Sequence, residues 1–181
     1  MEKSTRGRVY RLTVCALMAA VMCVLGPLSI PIGPVPIAFA NLVIYFTVYL
    51  LGWKWGTVST LVYLLLGLAG LPVFAGYASG AAKLLGPTGG YLVGYLPMAL
   101  LAGVVIEHTN RRTLQMLGMI GGTALCYLLG TAWFCWQGGY TVGAAMGLCV
   151  TPFIPFDLLK MLFALCVGPV LRKRLKEVKL L

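Results

Sequence analysis

The chain has 181 residues, of which 60% are hydrophobic and only 10% charged, with a formal net charge of +10. A soluble domain carries roughly 45–50% apolar and about 25% charged residues, so the composition excludes one and points to an all-α integral membrane protein. Nucleic-acid binding is excluded as well, because the basic residues sit at the ends of apolar segments and form no aromatic-interleaved patch.

Six spans follow in chain order, at about 12–28, 37–53, 57–71, 90–106, 114–136 and 152–171. With about 20 residues needed per span, six helices and their connectors use the whole length as one transmembrane domain, 1–181, with no room for a soluble one. Between the first two lies "PLSIPIGPVPI", a charge-free, Pro-rich connector that cannot continue a helix. The third span stops at "GLAGLP" and leads into the Gly-rich "VFAGYASGAAKLLGPTGGY", where Pro87 ahead of Gly89 and Gly90 suits a turn feeding the fourth span. The sequence shows no internal repeat. The first span resembles a signal peptide in charge and length, but no small residue marks a cleavage site at Cys23, so it should be retained.

Charge sets the orientation. Twelve of the 14 basic residues (Lys3, Arg6, Arg8, Arg11, Lys54, Arg111, Arg112, Arg172, Lys173, Arg174, Lys176 and Lys179) fall on one side of a six-span chain, and the positive-inside rule makes that side cytoplasmic. Both termini are then inside. Glu2, Glu107 and Glu177 accompany these clusters, which leaves Lys83, Asp157 and Lys160 without a topological reason.

The sixth span, "TPFIPFDLLKMLFAL", should begin near Thr151-Pro152, with Pro155 in its first turn and Asp157 near the positive end of the helix dipole. Lys160 follows on the same face, roughly 4.5 Å further along the axis at about 1.5 Å per residue. An ion pair that fixes helix packing, or a snorkelling Lys160, is the plain reading. A functional pair is favoured, because charges inside a membrane generally face a cavity or a partner. The pair should lie just below the outer surface, beside the Gly-rich loop with Lys83.

Several chemistries are absent. There is no G-x-x-x-x-G-K-[ST] loop, so the chain is no ATPase. His108 and Ser79 fall at opposite ends of their spans, which removes a Ser-His protease, and the chain is read as no enzyme at all, without catalytic residues or cofactor. The six cysteines lack C-x-x-C spacing and read as small buried hydrophobes, and no cluster has metal-ligand spacing. In the first span Ala16 and Ala20 make a small-xxx-small face that admits a close helix, inside the subunit or from a partner. The rival transport reading is a stand-alone ion-coupled vitamin carrier with Asp157 as coupling carboxylate.

"GPVPIAFANLVIYFTVYLLG", "LVYLLLGLAGLPVFAG", "LLGPTGGYLVGY" and "PFIPFDLLKMLFAL" resemble the successive motifs of the BioY family, the biotin-binding substrate-specific subunits of energy-coupling-factor (ECF) transporters. The resemblance runs from about residue 16 to 171. It implies a six-helix subunit in the cytoplasmic membrane of a bacterial-type cell, working with a membrane scaffold protein and two ATPases that supply the missing nucleotide chemistry. Biotin offers two ureido N–H donors, a carbonyl acceptor, a thioether ring and a carboxylate. Asp157 could accept the N–H bonds while Lys160 donates to the carbonyl and Lys83 meets the carboxylate, with the two lysines exchangeable in these roles. Gly76, Tyr77, Ser79 and Tyr91 would line the site, although Tyr91 suits an interfacial anchor equally well. The chain departs from the family at Ala40-Asn41, where Gln-Thr is common, leaving Asn41 as the substitute polar group. The resemblance turns the Ala16/Ala20 face outward, towards the scaffold.

Overall fold

The computed structural model describes residues 2–31 and 35–177; the middle of the Pro-rich connector and Lys179 lie outside them. Among these residues are seven helices: α1 Glu2–Leu25, α2 Ala40–Leu68, α3 Gly80–Leu85, α4 Gly89–His108, α5 Arg112–Gly138, α6 Val142–Cys149 and α7 Ile154–Glu177. Four contain stretches long and apolar enough to cross a membrane: Gly7–Leu25, Gly89–His108, Arg112–Gly138 and Ile154–Leu175. The protein is a multi-pass, all-helical membrane protein.

The second and third expected spans are the two limbs of α2, 40–51 and 53–68. They are separated by Gly52, whose φ of 74° and ψ of −178° no L side chain adopts comfortably. The chain reverses there. A Cβ on Gly56 would lie 3.2 Å from Val48 Cα, although eight residues of straight helix span about 12 Å. Glu107 stabilises the turn by accepting the Trp53 N–H at 3.1 Å, at the start of the second limb. At about 1.5 Å per residue the limbs reach roughly 18 and 24 Å, short of the ~30 Å hydrocarbon core. Packing compensates, since α2 lies against α1, α4 and α7 and buries Ile44, Tyr45, Val48, Tyr49 and Tyr63.

The most extensive helix pair is α4 with α5. Gly118, Gly122, Cys126 and Gly130 recur every four residues on α5 and face Val105, Met98, Gly94 and Tyr91 of α4 respectively. A Cβ at Gly94 would come within 2.9 Å of the Cys126 sulfur, and one at Gly122 within 2.9 Å of the Met98 carbonyl. Small residues thus let the backbones meet where the lipid gives no hydrophobic drive to associate.

Three short elements depart from the sequence reading. The Pro-rich connector ends in an antiparallel pair, β1 Ser29–Ile30 with β2 Ile37–Ala38. The Gly-rich loop contains α3, preceded by a tight turn in which Gly76 and Tyr77 have φ of 73° and 59° and close the Phe74–Ala78 bridge. The connector after α5 contains α6, capped by the Thr141 hydroxyl, which accepts the Ala144 N–H. Its glycines hid it from a periodicity reading. In addition α7 starts at Ile154, slightly later than expected, and keeps Asp157 in its first turn.

Candidate functional site

Asp157 and Lys160 are joined by a 2.9 Å ion pair and are only 4% and 8% exposed. Two buried charges are stable only when their remaining hydrogen-bonding capacity is met, and here it is met from three other elements. Asn41, at the start of α2, donates to Asp157 Oδ1 at 2.8 Å. The Tyr127 hydroxyl, on α5, donates to Asp157 Oδ2 at 2.5 Å. Lys160 donates to the Ala38 carbonyl at 2.8 Å, to Asn41 Oδ1 at 3.1 Å and to Asp157 Oδ1, so its three N–H bonds are all engaged. The Lys160 ammonium also lies 5.8 Å from the centre of the Phe39 ring. The β1–β2 pair explains the Ala38 contact, because it turns the connector back over α7 just before α2 begins.

This network borders a cavity of about 50 Å³. Its polar wall is Asn41, Thr123, Tyr127, Asp157 and Lys160, and its apolar wall includes Tyr91, Tyr95, Met98 and Phe153. Asp157 Oδ1 already takes two donors and Oδ2 only one, so Oδ2 keeps the free lone pair. An N–H donor can bond there without replacing a donor already present. A ligand acceptor can reach Lys160 only if one of its three present partners lets go. Small-molecule sites run to roughly 300–1,000 Å³, so this conformation is a contracted one whose walls must part to admit a ligand.

Of the residues singled out in the sequence, the structure gathers Asn41, Tyr91, Asp157 and Lys160 around this cavity. Tyr91 is buried, bonded to Thr131 at 3.0 Å, and is therefore no lipid-facing interfacial anchor. Lys83 lies elsewhere, on a second cavity of about 320 Å³ with Thr88, Phe134 and Tyr140. Gly76, Tyr77 and Ser79 border neither, and Tyr77 is 66% exposed. The physical reason is that α3 is held against the end of α5, where Trp133 Nε1 donates to the Gly86 carbonyl at 3.0 Å and Gln137 donates to the Leu85 carbonyl. Sequence reasoning missed Tyr127, Tyr95 and the Ala38 carbonyl. A tyrosine in the middle of an apolar span was the available signal, since a buried phenol needs a partner. Ala16 and Ala20 are both exposed on α1, while Val14, Cys15, Met18 and Ala19 face the core.

A BioY family model matches residues 1–177. The chain is 33% identical to the biotin transporter BioY of Thermotoga maritima, over 90% of this chain and 96% of that one. It is 35% identical to the biotin transporter BioY2 of Lactococcus lactis subsp. cremoris, over 94% of each. A crystal structure of the S-component for biotin from an ECF-type ABC transporter superposes with a TM-score of 0.83, at 34% identity and over 92% of each chain. The match spans every helix described above, the buried network on α7 included, and the chain belongs to the BioY family.

Proposed function

We propose that this protein captures biotin at the outer face of the cytoplasmic membrane and is the substrate-specific subunit of an ECF transporter. It binds and delivers; it is not an enzyme. Membership of the BioY family supports this, and so does the likeness to a biotin S-component. The observation that carries it is the buried Asp157–Lys160 pair, which presents one free carboxylate lone pair to a cavity with tyrosine walls. A ureido N–H meets Asp157 Oδ2. The ureido carbonyl takes a Lys160 N–H released from Asn41 or Ala38, and Tyr91 and Tyr95 cover the thioether ring. Exchanging one Lys160 bond for another keeps the ammonium saturated while the ligand is held, so binding does not strand a buried charge.

The four long apolar helices and the two limbs of α2 make six membrane passes. The positive-inside rule then puts both termini, Lys54, Arg111 and Arg112 in the cytoplasm. Transport energy comes from a membrane scaffold and two ATPase subunits. The exposed Ala16/Ala20 face of α1 is the docking surface for the scaffold, since small residues let a partner helix approach closely.

Binding of biotin to the purified subunit alone tests capture, and uptake by cells that also make the scaffold and ATPases tests coupling. Ala16→Leu or Ala20→Leu should abolish uptake and leave the affinity of the purified subunit unchanged. Loss of both would mean that the alanines pack the subunit internally, and retention of both would place the docking surface elsewhere.

A further inference from the structure

The second cavity is larger than the one beside Asp157 and lies further along α5. Both border α5. Thr123, Cys126 and Tyr127 of α5 line the inner cavity, and Phe134 and Gly138 line the other. From Tyr127 to Phe134 is seven residues, or about 10 Å along the axis at about 1.5 Å per residue. The order is the same where α4 begins, with Thr88, the residue just before it, on the second cavity and Tyr91, in its first turn, on the first. Between them Tyr91 reaches from α4 to Thr131 of α5, and its ring fits only because residue 130 is glycine. Tyr91 and Thr131 therefore stand between the two cavities along α5.

Its lining is suited to an amphiphilic acid. Phe134 and Tyr140 stack with centroids 4.9 Å apart and planes 17° apart, forming a flat apolar wall. Thr88 supplies a hydroxyl. Lys83 is half-buried, and the ion pairs among the described residues are Asp157–Lys160 and Glu177 with Lys173 and Arg174, so the Lys83 charge has no acid partner. A half-buried cation without a counter-charge, in a cavity with an aromatic wall, matches a ligand that carries a carboxylate on an apolar body. The two bonds from Trp133 and Gln137 to the end of α3 keep this chamber formed without a ligand.

We infer that the cavity at Lys83 is an outer docking site, which takes the carboxylate of the incoming ligand before its ring system passes Tyr91 to reach Asp157. The inference rests on the biotin reading and deepens it. Lys83 then governs the rate of capture, whereas Asp157 and Lys160 govern how long the ligand stays. A charge that steers an encounter changes association and its salt dependence; a contact made in the final complex changes dissociation.

The test is the association and dissociation kinetics of biotin and of biotin amide, which lacks the negative charge, on the purified full-length subunit at low and high salt. Lys83→Gln should slow biotin association about three- to tenfold at low salt, remove most of its salt dependence and leave dissociation unchanged. Biotin amide should be unaffected, and Lys83→Arg should restore the biotin rate. Faster biotin dissociation with unchanged association would overturn the inference, because Lys83 would then hold the carboxylate in the final complex. So would equal changes for both ligands, or no change for either. Wild-type protein that fails to bind biotin at all would overturn the parent reading and this inference together, whereas normal wild-type binding with an unaffected Lys83→Gln overturns the docking site alone.

Discussion

The two ends of α7 hold hydrogen-bonded polar groups for different purposes. Towards the start, Asp157 and Lys160 draw donors and acceptors from α2, α5 and the β2 backbone around a cavity. Towards the other end, Pro169 has no N–H to give to Leu165, and the orphaned Leu165 carbonyl accepts instead from the Arg112 guanidinium of α5. Beside it Gln115 accepts from the Tyr49 hydroxyl at 3.1 Å and donates to the Thr109 carbonyl at 2.8 Å. Gly168 has no side chain to collide with the Tyr49 ring, which lets α7 close on α2. This second network borders neither cavity and spends its bonds on backbone or on itself. Satisfied polar groups alone do not identify a binding site. A site is identified by satisfied groups that keep one bonding position open towards a cavity, as Asp157 Oδ2 does.

The sharpest way to break this contrast is Lys160→Met. Leaving a buried carboxylate without its cation costs about 2–5 kcal/mol, so biotin affinity should fall roughly 30-fold or more while the protein still inserts and purifies. Calorimetry giving the wild-type affinity would reduce the pair to a packing device.

A smaller effect is expected at Tyr127→Phe, which removes one charge-assisted hydrogen bond and leaves the ion pair intact. At about 1.5–3 kcal/mol for such a bond, with the ring still in place, about tenfold weaker binding is the expected result at the low end of that range. An unchanged affinity would show that Oδ2 does not need the phenol for orientation.

The smallest effect on the ligand, and a real effect on the fold, belongs to the other network. Arg112→Leu removes the donor to the Leu165 carbonyl, an exposed hydrogen bond worth about 0.5–1.5 kcal/mol, and should lower the melting temperature slightly while changing biotin affinity less than twofold. A large loss of affinity would mean that the two ends of α7 are coupled.

Much of the first network was legible, and for a definite reason. Asp157 and Lys160 stand out in an apolar run, and their i, i+3 spacing is enough to place both on one helix face. Asn41 stood out only as a departure from the family's motif. What the spacing does not carry is which neighbour that face meets, so the Ala38 carbonyl, reached through a β-pair, and Tyr127, on a helix 30 residues away, were not legible. The place of Lys83 was missed for the same cause. Loop composition predicts an irregular, glycine-rich path, but bonds from α5 decide where along that helix α3 rests. The expected break between spans fell at 54–56, just past the reversal at Gly52, and the shortness of the two limbs follows from burial by α1, α4 and α7 and has no local signal.

In the proposed function Asp157 Oδ2 receives a ureido N–H of biotin. The most direct measurement is calorimetric titration of the purified subunit, without partners, comparing wild type with Asp157→Asn for biotin and for biotin methylated on its ureido nitrogens. The wild type should bind biotin tightly at one site and lose roughly 30-fold or more on methylation, because the acceptor loses its donor. Asp157→Asn should bind biotin as poorly and be nearly indifferent to methylation. Asp157→Asn binding biotin as the wild type does, or methylation costing the same in both proteins, would contradict the account.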